Sequence, residues 1–185
     1  MGHAEVPLDN IGRQQAVRTA TLLRRWDITR IVSSPLARAR ETAEILAGPL
    51  NLSVDLEADW REVDVGALRG LCWSEIETAF PDFVARWRSD PVHTPRPGGE
   101  SDYALKRRVV RGFQRAQTCY AGERSVIVSH GGTIRAILTH ILGMDLKDKW
   151  RLAIDNGSIS VLKKTRRGWV LTALNETAHF VDERA

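Results

Sequence analysis

Residues 126–132 read Val126-Ile127-Val128-Ser129-His130-Gly131-Gly132. The apolar part is typical of a buried strand, and the glycines mark a turn into a helix with apolar residues at helical spacing, Ile134, Ile137, Leu138 and Ile141. A histidine at the carboxyl end of such a strand lies where α/β proteins bind ligands. The glycines let backbone N–H groups approach an oxyanion, which the helix dipole also favours. On this segment alone, a core histidine and a turn that needs glycine explain the pattern equally well.

Outward from this segment, strand and helix patterns alternate. We predict helices over 12–26, over 36–47 after Pro35, and over 101–120. The first of them should have Asp9 or Asn10 as its cap and should face inward with Val17, Ala20, Leu23 and Trp26. Strands are predicted at 30–33, near 54 and at 125–129, with a hairpin of 158–162 and 169–174. A capping box at 74–77 starts a short helix ending near Pro81, and a proline-rich loop follows. The pattern predicts an α/β fold with a mostly parallel sheet and crossover helices.

A second segment with anion-binding character is Ser33-Ser34-Pro35-Leu36-Ala37-Arg38-Ala39-Arg40. It follows another strand, and it places Arg38 in the first turn of a helix, where the helix dipole disfavours a cation. An arginine there is better explained as a bidentate clamp that points back at a bound phosphate. Arg40 is the comparison, because one of the two arginines is expected to be solvated.

A third segment, Glu62-Val63-Asp64-Val65-Gly66-Ala67-Leu68-Arg69-Gly70, has no periodicity and suggests a loop over a cleft. A carboxyl group in such a place can act as a general acid when burial raises its pKa. An exposed loop carboxylate is the simpler explanation of this segment by itself.

Together these segments resemble the histidine phosphatase superfamily, the phosphoglycerate mutase-like group. The similarity runs along essentially all 185 residues. It rests on motifs in the expected order: Gly2-x-x-Glu5-x-Pro7-Leu8, Ser33-Ser34-Pro35-Leu36-x-Arg38-Ala39, Glu62-x-x-x-Gly66-x-x-x-Gly70, Pro97-Gly98-Gly99-Glu100-Ser101 before Arg108, Ser129-His130-Gly131-Gly132, Asn156-Gly157-Ser158, and Leu174-Asn175 before His179. Leu68 and Arg69 replace the more usual Trp-Glu of the acid loop.

The resemblance implies one three-layer domain over residues 1–185, with helices on both faces of the sheet and a C-terminal hairpin. It implies a metal-independent phosphatase, without a cofactor, that acts on a small phosphorylated metabolite. Catalytic roles are implied for His130, Glu62 and Arg38, and phosphate binding for Arg38, His130 and Gly131. Those three catalytic side chains should converge on one cleft, while Arg108, or its neighbour Arg107, is as well explained as a structural ion-pair partner.

The family's nucleophile is the histidine of an Arg-His-Gly triplet at the end of its first strand, and that triplet does not occur here. His3 is a weak substitute, because it stands without the preceding arginine. We therefore expect a domain truncated at its N-terminus, inactive as it stands. An active phosphatase with a misassigned start, a phosphoester-binding pseudoenzyme and a phosphoglycerate mutase remain alternatives. A serine hydrolase using Ser129 fails, because Ile127 occupies the place of the first glycine in G-x-S-x-G.

The missing strand should lie inside the sheet, between the strand ending at His130 and the hairpin. We expect a gap of about 9–10 Å there rather than pairing at about 4.8 Å. Residues 1–8, which contain Pro7, are a poor replacement strand.

The composition also limits where the protein is expected to act and which partners it is expected to bind. Two cysteines without C-x-x-C, no apolar run of membrane-spanning length and no signal peptide indicate a cytoplasmic protein without a membrane anchor. The net charge of +4 comes without a basic arm or zinc-finger spacing, so we expect no nucleic-acid partner. A homodimer is left open.

Overall fold

The computed structural model describes residues 2–183, with side chains through residue 180. Its central sheet consists of three parallel strands, β1 (Arg30–Ser33), β2 (Val54–Leu56) and β3 (Ser125–Val128), in the order β2-β1-β3. β1 is the middle strand, with Ile31 opposite both Val54 and Val126. The short apolar runs therefore form the parallel sheet that the sequence predicts.

Consecutive residues of β1 show how the two faces of the sheet are covered. Ile31 and Val32 are both fully buried, and they point to opposite faces because strand side chains alternate. Ile31 packs in a cluster with residues of α1 (Asn10–Leu23) and α2 (Ala37–Ala47). Val32 packs in a second cluster with residues of α5 (Asp102–Cys119) and α6 (Gly131–Ile141). The result is the predicted three-layer arrangement, with helices on both faces.

The first helix ends earlier than predicted, and its predicted inward face is only partly right, because Ala20 and Leu23 are buried as expected. Asp9 caps it, with Oδ1 accepting the Gly12 N–H at 2.7 Å, and it ends at Leu23 instead of Trp26. Val17 is exposed, so its predicted inward position is wrong. The buried face is set by Ala16, Ala20 and Leu23, which are spaced by four and three residues, and Val17 lies a further 100° around the helix.

The segment after the acid loop contains two short helices where the sequence predicts one. α3 (Trp73–Ala79) is capped at Cys72, whose N–H donates to Glu75 Oε2 at 2.7 Å, and not at Ser74. α4 (Pro81–Ser89) begins at the proline that was expected only to end α3, because proline is well suited to the first turn of a helix. The two helices enclose a small cluster of Ile76, Phe83 and Val84.

The C-terminal hairpin forms a separate sheet. β4 (Ile159–Thr165) and β5 (Gly168–Glu176) pair with each other, and within residues 2–183 neither pairs with β3. As expected, β3 does not pair directly with the hairpin, and the described residues 2–8 form no replacement strand. Apolar side chains still connect the two sheets, since Val128 and Ile159 pack against one cluster and Ile127 and Leu162 against another.

Shorter 3₁₀ segments connect these elements, at Gly48–Leu50, Ala58–Trp60, Gly66–Leu68, Leu146–Arg151 and Ala178–Glu183. Among residues 2–183, no helix is both long enough and apolar enough to cross a membrane.

Candidate functional site

The candidate site lies at the carboxyl ends of β1 and β3. Because the two strands are parallel neighbours, the helices that follow them, α2 and α6, begin at the same edge of the sheet. Arg38 is the second residue of α2, and His130 is the residue before α6. Two helix N-termini thus face the same place, an arrangement that favours an anion.

His130 is buried at this edge of the sheet. Only 7% of its surface is exposed, and Nε2 lies 2.8 Å from Oγ of the fully buried Ser34. Burial is the main cause that lowers the pKa of His130 to about 3, and electrostatic interactions with Arg38, His3 and Arg108 contribute to the same shift. The imidazole is therefore neutral at pH 7.

Arg38 lies close enough to His130 to lower the pKa of that histidine. The Arg38 guanidinium points away from α2. Nη1 donates to Ala4 O at 3.1 Å and Nη2 donates to Gly2 O at 2.9 Å. Burial lowers the pKa of Arg38, while the carboxylates of Glu62 and Glu5 oppose that shift. A phosphate bound by this fork would replace the two carbonyl oxygens.

The start of α2 already binds a carboxylate, and the second arginine of this helix lies elsewhere. The Ala37 N–H, at the start of α2, donates to Glu5 Oε2 at 3.1 Å, so a carboxylate already lies at this helix N-terminus. Arg40, the comparison residue, is exposed beside Glu44, 3.8 Å away. Of the two arginines, Arg38 alone turns toward the edge with His130.

Glu62 reaches the same place from the loop after β2. Its Oε1 accepts the Val63 N–H at 2.8 Å, and its Oε2 accepts the Gly132 N–H at 3.1 Å. A Cβ atom on Gly132 would lie 2.4 Å from Oε1, whereas a Cβ on Gly131 would meet only the flexible end of Arg135 at 3.0 Å. Gly132 is therefore glycine because the Glu62 carboxylate packs directly on the first turn of α6.

Arg108 holds the loop that carries Glu62. It donates to the carbonyls of Asp59 at 2.8 Å, Arg61 at 3.1 Å and Glu62 at 3.2 Å, and it forms a 2.6 Å ion pair with Glu100. Its neighbour Arg107 is exposed. Arg108 is therefore a structural ion-pair partner, which is one of the two roles that the sequence leaves open. Its guanidinium binds backbone carbonyl oxygens and the Glu100 carboxylate.

The loop also docks on the proline- and glycine-rich segment before α5. The Glu100 N–H donates to Asp64 O at 2.9 Å, and the Asp64 N–H donates to Glu100 Oε1 at 3.0 Å. At Gly99, a Cβ would lie 2.3 Å from Asp64 O. Glycine is required there because two backbones are in direct contact.

The sequence profile of the histidine phosphatase superfamily (branch 1) matches residues 1–177. The chain belongs to this superfamily. Its curated relatives include phosphatases and mutase-like proteins. Phosphoserine phosphatase 1 of Hydrogenobacter thermophilus is 33% identical over 178 residues, which are 96% of this chain and 84% of that protein. A probable phosphoglycerate mutase of Yersinia pestis is 30% identical over 187 residues, covering 96% and 85%.

A bifunctional protein of Mycobacterium tuberculosis is 37% identical over 161 residues, 86% of this chain. The chain spans only 44% of the length of that protein. Among solved structures, the alpha-ribazole phosphatase of Shigella flexneri has a TM-score of 0.86 and 26% identity, covering 95% of this chain and 87% of that one. A mycobacterial glucosyl-3-phosphoglycerate phosphatase with inorganic phosphate has a TM-score of 0.81 and 29% identity, covering 97% and 92%.

In this member of the superfamily, the sequence offers His3 and Ser129 as other nucleophiles. His3 lies at the site, with Nε2 2.7 Å from Glu62 O and Nδ1 3.6 Å from Asp64 Oδ2. Ser129 donates its hydroxyl to Trp60 O at 2.8 Å. Both side chains are thus engaged with the backbone next to the acid loop.

The structure brings Arg38, Glu62, His130 and the start of α6 to one edge, as the sequence predicts. The sequence reasoning missed the contact from Ser34 to His130 and that from Gly132 to Glu62. Ser34 and Gly132 both belong to the motifs described above, but the partner of each lies at least 70 positions away in the sequence. Within residues 2–183, no group of three or more His, Cys, Asp or Glu side chains is arranged to hold a metal ion.

Proposed function

We propose that this domain is a phosphomonoesterase of the histidine phosphatase type that acts on a small phosphate ester. Arg38, His130 and the Gly131 N–H bind the phosphoryl oxygens, and Glu62 serves as general acid. The proposal extends to residues 1–185 acting as one domain in the cytoplasm.

The observation that carries the proposal is the convergence of Arg38, Glu62 and His130 on two helix N-termini. The charge of Arg38 acts on His130, and the charge of Glu62 acts on Arg38, so the three groups lie within electrostatic range of one another. Donors placed in advance around developing negative charge are the largest contribution to catalysis in many enzymes.

The proposed reaction has two steps. A histidine nitrogen attacks phosphorus, the bond from phosphorus to the ester oxygen breaks, and Glu62 gives its proton to the leaving alkoxide. Water then attacks the phosphohistidine, Glu62 takes a proton from it, and inorganic phosphate leaves as the histidine is restored. A mutase differs only in passing the phosphoryl group to a second substrate.

None of the five histidines in the sequence stands in an Arg-His-Gly triplet. We therefore propose that this chain binds phosphate esters but does not turn them over, and that an added strand ending in Arg-His-Gly makes it a phosphatase. The second candidate is a pseudoenzyme that binds phosphate esters and that the added strand would not convert into a phosphatase, and the absence of the triplet favours it as well.

Binding and turnover are tested separately. Calorimetric titration with inorganic phosphate should give saturable binding, and Arg38→Ala should weaken it by about tenfold or more because a charge-assisted, bidentate contact is lost. The matched control is Arg40→Ala, which removes an exposed arginine of the same helix and should leave binding unchanged. Equal affinities for the wild type and Arg38→Ala would show that phosphate does not bind here.

Hydrolysis of p-nitrophenyl phosphate should be undetectable for the chain itself and should appear after addition of the strand. In that extended protein, Arg38→Ala and His130→Ala should each reduce kcat by about a hundredfold or more. Turnover by the unextended chain that is abolished by His3→Ala, with a trapped phosphohistidine, would contradict the proposal.

A further inference from the structure

A cleft of about 420 Å³ opens beside the acid loop, and the phosphate chemistry does not use it. Its walls come from the loop after Glu62, from α3 and α4, and from the segment before α5. The lining residues that matter here are Val65, Leu68, Trp73, Phe83, Trp87 and Arg96. The volume lies within the range of about 300–1,000 Å³ found for small-molecule sites.

The cleft begins where the candidate phosphate site ends. Val65 lines it and is three residues from Glu62. The side chain of Val65 also packs against Gly2, where a Cβ would lie 2.7 Å from Val65 Cγ2, and Gly2 O accepts the hydrogen bond from Arg38. Val65 thus connects the cleft both to the loop that carries Glu62 and to the backbone that Arg38 contacts.

Most of the side chains that line the cleft are apolar, and three of them are aromatic: Trp73, Phe83 and Trp87. The rings of Trp73 and Trp87 lie 5.3 Å apart at 57°, and 44% of the surface of Trp73 is exposed. Large aromatic side chains arranged in this way bury an apolar group well and offer ring faces for stacking. An exposed tryptophan beside a second one is also a feature of binding surfaces.

The charged residue on the wall, Arg96, already donates its hydrogen bonds to protein acceptors. Arg96 donates to Asp102 Oδ1 at 3.0 Å and to Glu100 O at 2.8 Å. Asp102, itself 7% exposed, is shared with the buried Lys149. A carboxylate or second phosphate in the cleft would have to compete with Asp102 for Arg96, so the walls favour a neutral apolar group.

We propose that this cleft binds the leaving group of the substrate, and that the leaving group carries an aromatic ring system. The substrate class is then a phosphate monoester of a ring-bearing alcohol. Small, highly charged sugar acids are disfavoured. The inference rests on the proposed function, because it takes the phosphoryl group to lie at Arg38 and His130.

A pair of non-hydrolysable anions tests it without any need for turnover. Methylphosphonate and naphthylmethylphosphonate present the same anionic group and differ only in the ring. By calorimetry, the ring should increase affinity by about tenfold or more, since it removes a large apolar area from water. Trp73→Ala and Trp87→Ala should reduce that ratio to about threefold or less while leaving the affinity for methylphosphonate unchanged.

Trp150→Ala is the matched control, because Trp150 is 71% exposed and lies outside the cleft. It should keep the full preference for the ring. A ratio below about threefold in the wild type, or a ratio unchanged in both cleft variants, would overturn the inference. If methylphosphonate still binds in an Arg38-dependent way, only the inference has failed. If neither anion depends on Arg38, the proposed function has failed and the inference falls with it.

Discussion

His130 is a neutral imidazole that lies close to the positively charged Arg38 and Arg108. Burial and electrostatic interactions with Arg38, His3 and Arg108 all disfavour its protonation. A phosphate dianion bound beside it would act in the opposite direction, because it carries negative charge. Phosphate binding should therefore raise the pKa of His130.

Acidification should reveal this histidine in the stability of the free protein. Its pKa is about 3 when folded and about 6.5 when unfolded, so the unfolded chain binds the extra proton between those values. Stability should be complete above pH 6.5 and should fall as the pH decreases toward 3. Urea unfolding at pH 7 to 4 should show, relative to His130→Gln, an extra loss of up to about 1.4 kcal/mol per pH unit. If the stability of the wild type and that of His130→Gln changed with pH in parallel, the low pKa of His130 would be contradicted.

The two glycines of the His130 motif make a matched pair. Gly132→Ala should destabilise the domain by about 1–3 kcal/mol, because its Cβ would lie 2.4 Å from the Glu62 carboxylate. Gly131→Ala should change stability by less than about 0.5 kcal/mol, since only the end of Arg135 has to move. Urea unfolding of both variants measures the difference, and equal effects would show that Glu62 is not packed on α6.

At the scale of elements, the acid loop is irregular and is held in place by its neighbours. Arg108 of α5 reaches three carbonyls between residues 59 and 62, and Glu100 anchors both Arg108 and the Asp64 backbone. The position of Glu62 therefore depends on α5 and on the segment that precedes it.

Arg108→Lys should loosen this loop without unfolding the domain. Lysine keeps the charge but lacks the planar fork that binds several oxygens at once, so we expect a loss of about 1–2 kcal/mol. Hydrogen exchange of residues 58–66 should become faster, with the α5 core unchanged. The control is Arg107→Lys, at an exposed neighbouring position, which should alter neither measurement. Equal exchange in both variants would exclude the role of Arg108 as an anchor.

For the whole molecule, the separation of the two sheets is the main feature. β3 pairs with β1 on one side, and in the described part of the chain no strand pairs with its other side. The hairpin stays associated through apolar side chains such as Ile159 and Leu162 instead of backbone hydrogen bonds. An unpaired edge of this kind exposes backbone donors and acceptors that would be costly to bury.

A strand added before residue 1 should therefore stabilise the domain as well as supply a histidine. If it pairs between β3 and β4, it should raise Tm by about 10 °C or more, because a gain of 1 kcal/mol is worth about 2–4 °C at this size and an internal strand contributes several. A scrambled strand of the same composition is the control. An unchanged Tm would show that the space between the two sheets does not accept a strand.

Much of this architecture follows from local sequence. Short apolar runs form β1 and β3, and Ser101 caps α5, because these features depend on neighbours within a few residues. Helix α4 lies outside the sequence prediction, because a proline can mark the end of one helix or the start of the next, as Pro81 does. The motifs containing Arg38, Glu62 and His130 were also recognisable, because each stands at the end of a strand or in the loop that follows one.

The partners of those residues could not be found along the chain. Ser34 meets His130 across 96 positions, Gly132 meets Glu62 across 70, and Arg108 meets the acid loop across 46 to 49. Such contacts arise only when parallel strands bring their carboxyl ends together and α5 packs behind them. The same packing sets the pKa of His130, because burial and the charges around it come from segments that are distant in sequence.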